Sequence, residues 1–184
     1  MVKPATAVEE LRAWEAPDSA QAALAQSLIS FCLARPDDAC LRECEPGHLT
    51  ASAVVVDAAG ENVLLTLHGR FHRWVQLGGH CEPADPSLRA AALREATEES
   101  GIAGLEIADQ PLHIDVHPVT CSLGLPTRHL DVRYLVRAPA GAVPVISDES
   151  ADLAWWPLDA LPPDSDTVGE MVALARRRTA TPDR

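Results

Sequence analysis

The stretch Gln76–Ile102, QLGGHCEPADPSLRAAALREATEESGI, carries the strongest pattern in the chain. Two glycines follow its first residues, and a helical pattern then runs to Gly101. Asp85 can accept hydrogen bonds from the free amides of a first helical turn, and Pro86 has no N–H to leave unpaired there. Gly101 can supply the left-handed residue on which many helices end. The stretch therefore predicts a helix of about four turns over Pro86–Ser100.

Three carboxylates share one edge of this predicted helix. Glu95, Glu98 and Glu99 are three and four residues apart, which places them within an arc of about 100°. Like charges this close repel each other, and only Glu98 has a cation one turn away, in Arg94. Clustered carboxylate oxygens favour a hard divalent cation, so we expect Mg²⁺ or Mn²⁺ as the cofactor.

The same stretch resembles the Nudix box, whose pattern is G-x5-E-x7-R-E-U-x-E-E-x-G-U with U a bulky apolar residue. The residues that stand where the pattern asks are Arg94, Glu95, Glu98, Glu99, Gly101 and Ile102. Two positions depart from it. Ala96 is smaller than the pattern asks, and one extra residue between Gly79 and the helix leaves Asp85 in place of the first glutamate of the box.

The resemblance implies a role for each matched residue. Its catalytic residues would be Glu98, Glu95 and Arg94, with Arg94 orienting the carboxylates by ion pairing rather than touching substrate. Its metal ligands would be Glu95, Glu98, Glu99 and the Gly78 carbonyl, with Glu98 either a ligand or the base. The residues that would brace the loop are Gly79, Asp85 and Gly101.

A further carboxylate ligand is expected from a later loop. Glu149 is the first candidate because it shortly precedes WWPLDAL, residues 155–161, which resembles the W-x-P-L-D-x-L segment of the family. Asp148 or Asp152 could do the same work, and a solvated acidic loop is the alternative.

Substrate contacts are predicted from three cationic or ionisable side chains near this site. His80 lies inside the motif loop, and Arg128 and His129 open a later strand beside a loop with Gly124. The alternative for His80 is that it only fills space in the loop. Cys40, Cys44 and His48 could form part of a zinc site, but structural zinc usually has four ligands, so we expect the five cysteines to be free thiols.

The remaining chain predicts an α/β fold of the Nudix type, an α/β/α sandwich with a mixed sheet. Residues 1–45 form an N-terminal helical arm, with one helix before Pro17 and another over Ser19–Ala34, and residues 46–184 form the Nudix domain. The predicted strands and closing helix are 49–57, 62–70, 74–77, 112–119, 129–137, a short strand end at 155–157, and a helix over 167–178. The arm would pack against the domain or against a second subunit, so a homodimer is possible.

Composition limits the partners. The chain has 184 residues, 47% of them hydrophobic, and a formal net charge of −12. Phosphate backbones require a basic surface, so we expect no nucleic acid partner. The sequence contains no apolar run of about 20 residues and no secretory signal in its first residues, so we expect no membrane span and a cytoplasmic location.

The resemblance implies hydrolysis of a pyrophosphate bond in a nucleoside diphosphate linked to another moiety, such as a nucleotide sugar or a dinucleotide. Two alternatives stay open. One is a sanitising pyrophosphohydrolase for nucleoside triphosphates, and the other is a catalytically silent Nudix-like module that senses a ligand. The presence of all three carboxylates favours an enzyme.

Overall fold

The computed structural model describes residues 2–69, 72–120, 124, 126–147, 150–165 and 168–180. Within these ranges the helices are α1 (Pro4–Ala13), α2 (Ser19–Ala34), α3 (Leu88–Ser100) and α4 (Gly169–Ala180). The strands are β1 (His48–Val56), β2 (Asn62–His68), β3 (Trp74–Val75), β4 (Leu77–His80), β5 (Glu106–Thr120), β6 (Pro126–Arg137) and β7 (Ser150–Pro157).

The seven strands form one mixed sheet with helices on both faces. Its main order is β3-β2-β1-β6-β5, while β4 pairs with β1 and β7 pairs with β2. Only the β1–β6 pair is parallel among the strand pairs that the described residues form. Helix α3 covers one face through Ala91 and Ala92, and α4 covers the other through Met171 and Val172. The predicted α/β/α sandwich is confirmed.

The predicted start of the central helix is wrong. Helix α3 begins at Leu88, and its N-cap is Ser87, whose side chain accepts a hydrogen bond from the Ala90 amide at 3.0 Å. Asp85 does not cap the helix because its carboxylate is bound to other groups of the loop. The predicted end is correct, since Gly101 has φ 65° and its N–H donates to the Thr97 carbonyl.

The segment before this loop also differs from the prediction. The chain forms two short strands rather than one over 74–77, and β4 continues through both glycines to His80. Strand β4 pairs with β1, with Gly78 opposite Ser52. A Cβ on Gly78 would lie 2.5 Å from the Ser52 Cα, so only glycine permits this approach. Two adjacent glycines in a sequence are typical of a loop. Here their close pairing with β1 makes them part of a strand.

The other elements follow the predictions with shifted ends. Helix α2 matches the predicted Ser19–Ala34, and the β1–β2 hairpin is present. Strands β5 and β6 are longer than expected. Their pairing begins with Glu106 opposite Arg137 and ends with Thr120 opposite Pro126. Strand β7 extends over eight residues, and the closing helix begins at Gly169; the predicted first residue of that helix, Thr167, lies outside the described residues.

The N-terminal helices pack on the sheet rather than standing apart from it. Buried residues of both helices, including Leu11 and Leu28, belong to the same core cluster as Leu88 of α3. Gln21 exchanges two hydrogen bonds with the backbone of Ile114, at 3.0 and 2.7 Å. The division into an arm over 1–45 and a domain over 46–184 stays a prediction. No helix in the described ranges has the length and apolar character that a membrane span requires.

Candidate active site

Helix α3 carries Glu95 and Glu99 on the same side as the alanines that pack on the sheet, and Glu98 lies beside them. Ala91, Ala92 and Ala96 are fully buried against the sheet, and such small side chains let the helix approach the strands closely. The side chain of Glu95 is 13% exposed and that of Glu98 is 59% exposed. The carboxylates thus range from nearly buried at Glu95 to solvent-exposed at Glu98.

Arg94 is the centre of an ion-pair network that includes two of these glutamates. Its guanidinium lies 3.1 Å from Glu95 and donates a 2.9 Å hydrogen bond to Glu98. It also donates to the His80 carbonyl at 2.9 Å and pairs with Asp85 at 3.0 Å. Burial lowers the pKa of Arg94, but the hydrogen bond to Asp85 and the charge of Glu95 outweigh it, so the pKa is raised. The guanidinium stays charged and holds the carboxylates in fixed positions.

Asp85 lies buried at the base of the loop between β4 and α3. It is 4% exposed, and its Oδ2 accepts a 2.7 Å hydrogen bond from the Glu82 amide in addition to the contact with Arg94. The aspartate therefore joins the loop to the helix, although one extra residue separates it from Arg94.

Strand β4 touches the glutamates through its glycines. The Gly78 N–H donates to Glu99 Oε2 at 3.2 Å. A Cβ on Gly79 would lie 2.8 Å from Glu95 Oε1, a distance that no side chain tolerates without moving that carboxylate. The strand and the helix are thus in contact at Glu95 and Glu99.

The chemistry of this donor set fits a divalent cation. Glu95, Glu98 and Glu99 lie on neighbouring turns of α3, and Arg94, which contacts Glu95, Glu98 and Asp85, brings one positive charge against three negative ones. Bound Mg²⁺ or Mn²⁺ would offset the excess negative charge with the oxygen ligands that such ions prefer.

The residues predicted to contact substrate divide into two groups. The rings of His80 and His129 lie together, with their centroids 5.1 Å apart, and both contact the buried His48. Arg128 is exposed, and as the neighbour of His129 in β6 it belongs to the opposite face of the strand. The histidines and Arg128 therefore do not form one subsite.

Burial and neighbouring cations lower the pKa of all three clustered histidines. Burial is the largest cause in each, and it brings the pKa of His80 to about 3 and that of His129 to about 4. The pKa of His48 is lowered as well. The positive charge of Arg42 contributes in the same direction for each ring. The three imidazoles are neutral at pH 7.

The predicted late carboxylate cannot be placed. Glu149 and its alternative Asp148 lie outside the described residues. Asp152, the other alternative, is exposed on β7, and its Oδ1 accepts a hydrogen bond from the adjacent Leu153 amide.

The sequence reasoning missed two features around the site. Glu10 of α1 accepts hydrogen bonds from the Leu88 and Arg89 amides, at 3.0 and 3.2 Å, and so covers the start of α3. Asp131 of β6 is buried and binds Ser52 and Arg133, at 2.7 and 2.8 Å. Local patterns give no signal for Glu10, which is far from α3 in sequence. Alternation along β6 places Asp131 on one face of the strand with His129 and Arg133, which marks a polar row.

Comparison with known proteins agrees with this geometry. The NUDIX domain family model matches residues 46–175. A NUDIX-family hydrolase from Clostridium perfringens shares 22% identity over 72% of this chain and 96% of that chain, with a TM-score of 0.56. An ADP-ribose pyrophosphatase from Streptococcus suis shares 20% over 73% and 93%, with a TM-score of 0.54. A C. elegans Ap4A hydrolase in a binary complex shares 23% over 72% and 95%, with a TM-score of 0.51.

At these identities the structural likeness shows the common fold, and the family model shows the relationship. Comparison with curated proteins gives no match. The chain belongs to the Nudix family. It is an enzyme of the pyrophosphohydrolase class, with the box of α3 as its candidate active site.

Proposed function

We propose that this chain hydrolyses a pyrophosphate bond in a nucleoside diphosphate linked to another moiety, with Mg²⁺ or Mn²⁺ as cofactor. One observation carries the proposal. Glu95, Glu98 and Glu99 lie together on α3, and the Gly78 amide binds Glu99 while Arg94 binds the other two. Such an arrangement suits a phosphate-rich substrate because it can hold cations beside strongly negative oxygens.

The ligands in this proposal are Glu95, Glu99 and the Gly78 carbonyl, with Glu149 as a further candidate outside the described residues. Divalent cations held there would withdraw charge from the phosphate oxygens and lower the pKa of a bound water. Glu98 either ligates or accepts the proton of the attacking water, and its exposure of 59% leaves it open to solvent. Water then attacks one phosphorus, and the bridging P–O bond breaks to give two phosphate products.

The chain's other residues position these groups. Arg94 holds Glu95 and Glu98, and Asp85 holds Arg94 within the loop. Gly79 leaves room for Glu95, and Gly101 ends the helix so that Glu98 and Glu99 lie in its last turn. We keep Arg128, His80 and His129 as proposed substrate contacts.

The substrate class draws support from the solved relatives. One of them is an Ap4A hydrolase and another an ADP-ribose pyrophosphatase, and both names describe a nucleoside linked through phosphates to a second moiety. A relative with 21% identity and a TM-score of 0.53 is the NUDIX domain of Shewanella oneidensis NrtR complexed with ADP ribose. We therefore propose linked diphosphates ahead of simple nucleoside triphosphates.

The test is product release from a substrate panel by the purified full chain. The panel contains nucleotide sugars, dinucleoside polyphosphates, dinucleotide coenzymes and oxidised nucleoside triphosphates, each with Mg²⁺, with Mn²⁺ and with a chelator. We expect metal-dependent cleavage of one linked diphosphate well above the triphosphates. Preferential cleavage of the triphosphates would support the sanitising alternative, and tight binding of a compound without cleavage would support the sensing module.

A further inference from the structure

Three histidines from three different strands meet at one end of the sheet. His48 begins β1, His80 ends β4 and His129 lies near the start of β6. In the strand register His48 is opposite His129, while His80 is opposite Thr50, two residues along β1 from His48. The three ring centroids form a nearly equilateral triangle with sides of 5.0, 5.1 and 5.1 Å. Strand pairing, rather than a flexible loop, thus fixes the histidine triangle, as we call these three residues.

The ring nitrogens of the histidine triangle are close enough to share one ion. One nitrogen from each ring lies within 4.8 Å of the other two. Nε2 of His48 and Nε2 of His80 are 3.1 Å apart. Two nitrogens bound to one tetrahedral zinc at its usual bond length would be about 3.3 to 3.4 Å apart, so only a small adjustment separates this pair from coordination geometry.

The rings of the histidine triangle are largely removed from solvent. His48 is fully buried and the other two rings are half-buried. Nε2 of His129 is buried and has no hydrogen-bond partner among the described residues. A buried polar atom without a partner is costly, and a bound ion would satisfy it. The positive charge of Arg42 disfavours a cation at the triangle, whereas the negative charge of Asp131 favours one beside His129.

We propose that His48, His80 and His129 form a second metal site, which takes a zinc-type transition metal with its fourth position open. Three imidazoles select Zn²⁺, Co²⁺ or Ni²⁺ rather than Mg²⁺, whose preferred ligands are oxygens. The site is chemically distinct from the carboxylates of α3. It extends beyond the proposed function and does not depend on which nucleotide is cleaved.

The location gives this second site a structural consequence. The His80 carbonyl accepts a hydrogen bond from Arg94, and Gly78 of the same short strand contacts Glu99. An ion held by the histidine triangle would cross-link β1, β4 and β6 at the point where β4 leads into the loop before α3. Metal binding would therefore stiffen the strand that touches the catalytic carboxylates.

Cobalt provides a direct test because tetrahedral Co²⁺ absorbs visible light far more strongly than octahedral Co²⁺, and imidazole nitrogens favour the former. The metal-free full chain is titrated with Co²⁺ alone. We expect an intense tetrahedral spectrum that saturates at one equivalent and disappears when Zn²⁺ is added. A spectrum of the weak octahedral type only, in the unaltered chain, would overturn the proposal without any variant.

Variants then assign the signal to its ligands. His129→Asn should weaken the Co²⁺ affinity by about 100-fold or more, since even the loss of an outer-shell partner costs about 10- to 100-fold. His113→Asn is the matched control, because His113 is a buried histidine of the sheet outside the triangle, and it should retain the spectrum. The double variant Glu95→Gln and Glu99→Gln should also retain it. A signal that survives in His129→Asn, or that is lost in the carboxylate variant, contradicts the assignment.

Discussion

Glu10 connects the N-terminal helices to the start of α3, and replacing it by alanine tests how far the arm supports the site. Its carboxylate accepts hydrogen bonds from the amides of Leu88 and Arg89, at 3.0 and 3.2 Å. It also accepts a 2.8 Å hydrogen bond from the hydroxyl of Tyr134, a residue with no exposed surface. Burial and the charge of Glu10 raise the pKa of Tyr134, so the hydroxyl stays protonated and donates.

The cost of Glu10→Ala is the sum of two effects. Loss of a group that satisfies the first amides of a helix costs about 0.5 to 2 kcal/mol. Leaving a buried hydroxyl without its acceptor costs a further ~1 to 3 kcal/mol. We therefore expect the free energy of unfolding to fall by about 1.5 to 5 kcal/mol. In a Tyr134→Phe background only the first effect remains, so the same substitution should cost about 0.5 to 2 kcal/mol.

Urea unfolding followed by far-ultraviolet circular dichroism measures these differences. Glu9→Ala is the matched control, because Glu9 is an exposed glutamate next in the same helix, and surface changes of this kind alter stability by about 0.5 kcal/mol or less. If Glu10→Ala were no more destabilising than Glu9→Ala, Glu10 would not connect the arm to α3. An equal cost in both Tyr134 backgrounds would refute the hydroxyl contribution.

Three further outcomes follow from the site. Gly79→Ala should lower kcat by about 100-fold because the added methyl group displaces the Glu95 carboxylate. Gly169→Ala is the control, since Gly169 has open space around it, and steady-state turnover compares the two variants. Arg94→Gln should weaken Mg²⁺ affinity and stability more than it alters the chemical step, because Arg94 holds Glu95 and Glu98 in place. Calorimetry measures the Mg²⁺ affinity and urea unfolding the stability, and an unchanged affinity would contradict the bracing role of Arg94. Asp115 has its pKa lowered to about 2, first by the hydrogen bond from a neighbouring histidine. Its contribution to stability is therefore present above the usual pKa of about 3.8 and is lost as the pH falls towards 2, so Asp115→Asn should flatten acid unfolding over that range.

The central helix and its carboxylates could be predicted because their signals are local. Glu95, Glu98 and Glu99 share a face by helical spacing alone, and Gly101 marks the end of the helix without reference to the rest of the chain. The start was harder to place. Asp85 and Ser87 are both good capping residues, and the choice depends on Arg94, which binds the aspartate from nine residues away.

Features that depend on distant pairing could not be predicted. Strand β4 contains two glycines and forms because Ser52 and its neighbours in β1 pair with it. The histidine triangle joins positions 48, 80 and 129, and only the strand register brings them together. Closeness in sequence groups His48 with Cys40 and Cys44 instead, but both thiols are buried and free in the structure.

The turnover of Glu98→Gln at saturating Mg²⁺ is the most direct test of the proposed active site. The substitution keeps the size of the side chain and removes its charge, and several kcal/mol of lost transition-state stabilisation correspond to a fall in kcat of about a thousandfold. Glu106→Gln, at an exposed glutamate that begins β5, is the control and should keep the normal rate. A kcat for Glu98→Gln within about threefold of the unaltered chain, in a folded protein, would contradict the assignment of hydrolysis to the carboxylates of α3.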